Sequence, residues 1–195
     1  MASEMRLYDR AKRRLYTNAA ERERFLAAAL TEPPPVRSLC LTLFYTGCRL
    51  SEALELSPAS VQLAARLITF RTLKRRDAHV MREVPIPRQL AEELEGAHRI
   101  SSRPAAPELL WQEDGRVLHR TTAYRWVKRV MAEAGIAGAQ ASPKGLRHGY
   151  GVHALGAGVP LNMLSKWMGH AALSTTAIYA NASGREEQEI AARMW

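Results

Sequence analysis

Residues 142–182, SPKGLRHGYGVHALGAGVPLNMLSKWMGHAALSTTAIYANA, bring together a lysine, an arginine, a glycine-histidine pair and a tyrosine nine residues beyond that histidine. Arginine and lysine are the side chains that grip phosphate oxygens, and a tyrosine hydroxyl is an oxygen nucleophile. The combination suits phosphoryl transfer. Lys144 and Arg147 are three residues apart, so on a helix they leave from the same face. Ser142 as cap and Pro143 at the first helical position supply the start of that helix. PLNMLSKWMGH reads as a second helix, with Leu161, Leu164, Trp167 and Met168 on its apolar stripe and Gly169 ending it. His170 is then delivered at a helix terminus, and Ser174 can cap a short helix that carries Tyr179. Taken one at a time these residues have ordinary explanations, since tyrosines pack in cores and a lone histidine is usually structural.

A further arginine stands apart. VRSLCLTLFY, residues 36–45, is apolar almost all round and reads as a buried helix stopped by Gly47. Arg49 follows at once, in TGCRLSEAL. An arginine at such a junction is costly to bury alone, so it is either paired with an acid such as Glu52 or aimed at a ligand phosphate.

These residues resemble the tyrosine recombinase (phage integrase) family. The resemblance rests on Thr46-Gly47-Cys48-Arg49-Leu50-Ser51-Glu52, Lys144-Gly145-Leu146-Arg147-His148, Met168-Gly169-His170, and Tyr179. It extends over nearly the whole chain from about residue 18. Lysine stands at 144 where the family more often has histidine, Met168 replaces the usual leucine, and glycines 145, 149 and 151 make the first helix poor in propensity. The resemblance implies a mainly α fold with a small antiparallel β-sheet or hairpin. It implies strand cutting and rejoining on double-stranded DNA through a 3′-phosphotyrosyl link, with no cofactor and no metal. On that reading Arg49 and Arg147 clamp the nonbridging oxygens, His170 adds a hydrogen bond and Tyr179 attacks. Lys144 is the base or proton shuttle, and Lys74 protonates the leaving 5′ oxygen. Glu52 is an orienting acid, and His148 supports the site from behind. The family also implies a homo-oligomer, dimer to tetramer, on DNA, with a possible accessory protein. The resemblance to short fimbrial-type invertases implies that the helical clamp domain that usually comes first is expected to be missing.

The positioning elements can be read in order. Residues 1–17 form a basic N-terminal tail, either solvated or a DNA-contacting arm, and the catalytic domain is expected over 18–182. Asn18 and Glu21 fit a capping box, opening a helix through Phe25, Leu26 and Leu30 that the prolines at 33–35 end. LITFRTL and HVMREVPIP flank the polar turn KRRDA as a hairpin. Lys74 lies in that turn, and Arg75 and Arg76 beside it are either a solvated tip or phosphate contacts. Pro87 opens a helix through Leu90, Leu94 and Ile100, followed by a loop over 101–107 and a turn at Asp114-Gly115. The helix from about Thr121 to Ala134 should turn Tyr124, Val127, Val130 and Met131 inward and Arg125, Lys128 and Arg129 outward, to solvent or to DNA phosphates. Residues 183–195 are a C-terminal tail whose apolar positions dock either on a neighbouring subunit or on their own domain.

Composition sets the outer bounds. A net charge of +9 and a pI near 10.1 point to a polyanionic partner. Cys40 and Cys48 have no partner at metal-ligand spacing and read as structural thiols. No apolar run approaches a membrane span, so a cytoplasmic protein is expected, and the family resemblance implies a bacterial, phage or plasmid origin and association with the nucleoid. There is no GxxxxGK[ST], HExxH or GxSxG motif. His79, His98, His119 and His153 are scattered and read as surface or capping residues. Two rivals to strand exchange remain: a catalytically idle DNA-binding regulator of the same fold, and a DNA relaxer resembling type IB topoisomerases.

Overall fold

The structure, a computed structural model, describes residues 6–72, 80–113, 115–181, 188 and 191–192. Helix α1, Ala19–Leu30, opens on the expected capping box. Asn18 accepts from the Glu21 amide, and the Glu21 carboxylate accepts from the Asn18 amide. The proline run that ends α1 also seeds α2, Pro34–Thr46, because a fixed φ and a missing N–H suit the first helical turn. α2 threads the core with Leu39, Cys40 and Leu41 fully buried, and Gly47 ends it in the left-handed conformation. The short helix α3, Leu50–Ala53, follows directly.

Three antiparallel strands come next in the order β1 (Val61–Gln62), β2 (Leu67–Arg71), β3 (Met81–Pro85). The expected hairpin is β2 with β3, and β1 adds a strand that the sequence reading did not contain. Its turn, with Lys74, Arg75, Arg76 and His79, lies outside the described residues. Ile68 pairs with Val84 and Phe70 with Arg82, and all four face inward. α4 spans Arg88–His98, and left-handed Arg99 stops it before Ile100, which belongs to a following 3₁₀ turn. A two-stranded ribbon, β4 (Gln112–Glu113) with β5 (Arg116–Val117), leads to α5, Arg120–Glu133. The inward stripe of α5 is Ala123, Val127, Val130 and Met131. Tyr124, expected inside, is 39% exposed, because the buried arc is centred on Ala123.

α6 (Pro143–Gly156) and α7 (Leu161–Met168) form as the sequence indicates, with Ser142 capping α6 and left-handed Gly169 ending α7. Tyr179 sits in a 3₁₀ turn, Ile178–Asn181, behind α8, Leu173–Ala177. Ser174 does not cap α8, because it lies inside the helix, and the cap position is Ala172.

Two readings are corrected by packing. From residue 6 to 17 the N-terminal segment is not a solvated tail. Leu7 and Tyr16 are buried in a second apolar cluster with Val152, Leu164, Met168 and Tyr179, and Arg14 pairs with Glu21 at 2.6 Å. The basic run concealed two apolar anchors. His98, read as a surface or capping residue, is buried, its Nε2 3.0 Å from Ser38 Oγ and its ring edge-on to Trp111. His119 does cap α5.

The glycines of α6 are contact points. A Cβ on Gly149 would lie 2.1 Å from Thr17 Oγ1, and one on Gly151 within 2.6–2.7 Å of the Tyr179 ring. Helix propensity is given up so that Tyr179 can lie against the α6 backbone. Gly151→Ala should therefore destabilise the fold by about 1–3 kcal/mol in urea denaturation despite alanine's better propensity. Gly96→Ala in α4, where nothing lies within 4 Å, should stabilise it by about 0.5–1 kcal/mol.

Candidate active site

The site assembles where the turn after α2, strand β3, the start of α6 and the end of α7 meet. Arg49 is the N-cap residue of α3, and its own helix supplies its acid. The Arg49 amide donates to Glu52 Oε2 at 2.8 Å, and Arg49 Nη1 donates to Oε1 at 2.7 Å. Glu52 is 1% exposed. A buried carboxylate requires compensation, and the second cation comes from β3: Arg82 Nη2 donates to Glu52 Oε2 at 2.7 Å. Arg82 Nη1 also reaches Thr72 Oγ1 at 3.1 Å, and its Nε donates to the Trp167 carbonyl at 2.8 Å. Of the two alternatives for Arg49, the structure contains the pairing with an acid. It is paired with Glu52, yet 23% of its side chain stays exposed at a pocket of about 290 Å³. Arg49, Arg82, Lys166, Gly169 and His170 contribute to that pocket's wall.

Arg147 approaches from α6. It donates to the Gly47 carbonyl at 2.6 Å and to the Met168 carbonyl at 2.7 Å. The last carbonyls of a helix lack partners within it and carry the negative end of its dipole. Here those of Trp167 and Met168 are met by two guanidinium groups. Gly169 then turns the chain, and the His170 amide closes back on the Ser165 carbonyl at 3.1 Å. His170 Nδ1 lies 2.7 Å from Thr176 Oγ1, and its Nε2 is buried without a partner.

Tyr179 is fully buried. Its hydroxyl lies 3.3 Å from His148 Nδ1, and its ring stacks on His170 with centroids 6.2 Å apart. His148 Nε2 is buried and unpartnered as well. Burial holds His148 near 4, aided by Lys144 and Arg147, and holds His170 near 3, aided chiefly by Arg147 and Arg49. Burial pushes the Tyr179 hydroxyl up to about 12 despite the pull of Arg147 and Arg49. Both histidines are thus neutral, and the phenol keeps its proton. Burial would raise the Glu52 carboxyl, but Arg82 and Arg49 more than reverse that and leave it below the ordinary value.

Arg49, Glu52, Arg147, His148, His170 and Tyr179 therefore meet, although they were read from segments nearly a hundred residues apart. Lys144 is exposed on the first turn of α6. On α5, Lys128 donates to the Ala141 carbonyl at 2.8 Å, and Arg129 pairs with Glu32 at 2.6 Å. Arg125 stays on the exposed face, 3.5 Å from Thr122 Oγ1. Sequence reading missed Arg82 and Thr176. The first was detectable, since Val80, Arg82, Val84 and Ile86 alternate in one phase and place a charge on the inward face. Among the described residues no three His, Cys, Asp or Glu side chains gather as a metal site, and no helix is long and apolar enough to cross a membrane.

The depressed histidines have a consequence for stability. A group whose folded pKa lies below its unfolded value supports the fold above the unfolded pKa, near 6.5, and loses that support as pH falls through the folded one. Stability should fall from pH 6.5 toward 4, each histidine adding a slope of up to about 1.4 kcal/mol per pH unit. Urea denaturation of His148→Asn and His170→Asn across that range should show a flatter profile than the unaltered chain.

The same arrangement of elements recurs in known proteins. The fold resembles the crystal structure of XerA recombinase (TM-score 0.79, 23% identity, 92% of this chain and 64% of that one). It also resembles XerH site-specific recombinase bound to its difH substrate in a pre-cleavage complex (TM-score 0.75, 22% identity, 96% and 59%). In sequence the chain is 34% identical over 158 residues to tyrosine recombinase XerA of Thermococcus kodakarensis, covering 77% of this chain and 53% of that protein. It is 31% identical over 182 residues to XerD of Brucella abortus, covering 90% and 55%. The chain thus spans about half the length of the curated relatives it matches. The profile of the Phage integrase family matches residues 15–186. That match takes in the Arg49 turn, the Arg147 helix, His170 and Tyr179, and the chain belongs to the phage integrase family.

Proposed function

We propose that this chain is the catalytic part of a tyrosine-type site-specific DNA recombinase. The observation that carries the reading is the convergence of Arg49 and His170 on one pocket, with the Arg147 guanidinium buried beside them on the Gly47 and Met168 carbonyls and the Tyr179 ring stacked on His170. Arg49 and Arg147 retain N–H groups beyond those donated to protein acceptors, and the orphaned Nε2 of His170 can donate as well. Fixed donors of this kind stabilise the charge that gathers on the nonbridging oxygens of a phosphodiester in transfer.

In the reaction the Tyr179 oxygen forms a bond to phosphorus while the bond to the 5′ oxygen breaks, leaving a 3′-phosphotyrosyl link. Attack of a 5′ hydroxyl from another strand reverses the step, with neither metal nor ATP. The proton leaving Tyr179 passes to Lys144, or to His148, which already touches the hydroxyl. Lys74 supplies the proton taken up by the leaving 5′ oxygen. Because Tyr179 is buried, the segment from α8 through the 3₁₀ turn must shift to present it. Those elements are short, and only Thr176 and Tyr179 in them are deeply buried. The substrate is double-stranded DNA, gripped also by Arg75, Arg76 and the exposed cations of α5. Exchange needs two strands cut together, so the working unit is a homo-oligomer on DNA.

Nicked duplexes incubated without metal should give a gel-stable protein–DNA adduct with the unaltered chain and none with Tyr179→Phe. Equal adduct from both would remove Tyr179 from the role. Binding to DNA should weaken steeply with salt, log K falling by about 0.9 per phosphate neutralised against log salt. A flat curve in a filter-binding titration would count against the clamp.

A further inference from the structure

Arg82 has more partners than its place in a strand requires. Its side chain is 3% exposed, stands over the Phe70 ring with its carbon 5.0 Å from the centroid, and is covered by the backbone at Gly169. A Cβ there would come within 3.0 Å of the guanidinium. From this slot one rigid fork donates to Glu52, to Thr72 Oγ1 and to the Trp167 carbonyl. These partners belong to three separate segments of the chain, α3, the end of the β2 strand and α7. Glu52 holds Arg49, and Trp167 stands three residues before His170 at the end of α7. Thr72, at the foot of the hairpin, closes its last described rung by donating its amide to the Val80 carbonyl at 2.9 Å.

We propose that Arg82 is a positioning residue for strand transfer: a single buried guanidinium fixes the separation of Arg49 from His170 and ties the hairpin foot to both. The role rests on the reading of the site given above. It differs from plain structural support because the geometry it controls is that of the oxyanion donors, and a displacement of about 1 Å in such groups costs on the order of 100-fold in rate. Lysine cannot replace it fully, since an ammonium is a point donor where the site needs a planar fork.

The charged and titratable groups facing Glu52 are Arg49 and Cys48 beside it, Arg82 from β3 and Arg147 from α6. With Arg82 removed, burial of Glu52 is opposed mainly by Arg49, so the carboxyl takes up a proton at higher pH and releases Arg49. An activity profile that is flat at mildly acidic pH in the unaltered chain then acquires a falling acid limb.

The test compares the unaltered chain, Arg82→Gln and Arg82→Lys on the same nicked duplex, measuring binding, adduct-formation rate and pH profile. Folding of each is checked by circular dichroism. Expected for Arg82→Gln is an unchanged salt slope of binding, a rate lower by roughly 100-fold, and the new acid limb. Expected for Arg82→Lys, which keeps the charge should the glutamine variant fail to fold, is an intermediate rate with the acid limb moved back. Unaltered rates in folded variants, or binding and rate falling in the same proportion with no change of pH profile, would overturn the positioning role. No adduct from the unaltered chain in the same gel would overturn the strand-transfer reading itself, and this role with it.

Discussion

One buried carboxylate organises the site. Glu52, 1% exposed, sits between Arg49 and Arg82 with both oxygens engaged. An unpaired charge in that place would cost several kcal/mol, and a pair of this kind is worth keeping mainly for the arrangement it enforces. Its two arginines come from different elements, the N-terminus of α3 and strand β3, so satisfying Glu52 also ties those elements together at the pocket. The arginines outweigh the cost of burial and hold the carboxyl below its ordinary value.

The other fixed point is the end of α7. A helix terminus leaves carbonyls without partners, and here two guanidinium groups from β3 and α6 complete those of Trp167 and Met168. The same contacts bring both cations against a negative dipole end and leave His170 just beyond it, its ring held by Thr176. Capping, charge compensation and placement of a site histidine are thus one set of hydrogen bonds. The glycines of α6 belong to the same economy of space, since Gly151 lets the Tyr179 ring lie against the helix backbone.

Desolvation sets the chemical state of this resting arrangement. His148 and His170 are held neutral, and Tyr179 is held protonated, by the same lack of water. Two ring nitrogens, Nε2 of His148 and of His170, are buried without a partner, an energetic cost the fold carries in this cluster. A phosphodiester entering the pocket would supply acceptors that protein groups do not, and would bring negative charge to a cluster of cations.

The sequence by itself determined the elements and the cast. Caps at Asn18 and Ser142, stops at Gly47 and Gly169, the all-round apolar run of α2 and the apolar stripe of α7 are local signals, set by backbone geometry within a few residues, and these elements formed where they were read. Arg49, Arg147, His170 and Tyr179 were legible because their spacings repeat a known pattern. What only the tertiary structure decided depends on contacts between distant segments. The inward charge of Arg82 was visible as a phase in a strand, but its partners come from residues 52, 72 and 167. The burial of Leu7 and Tyr16 beneath a basic run, and the exposure of Tyr124 on an otherwise regular helix, followed from which neighbours were present to cover them. Periodicity tells which side of an element is apolar, and only packing tells what lies opposite it.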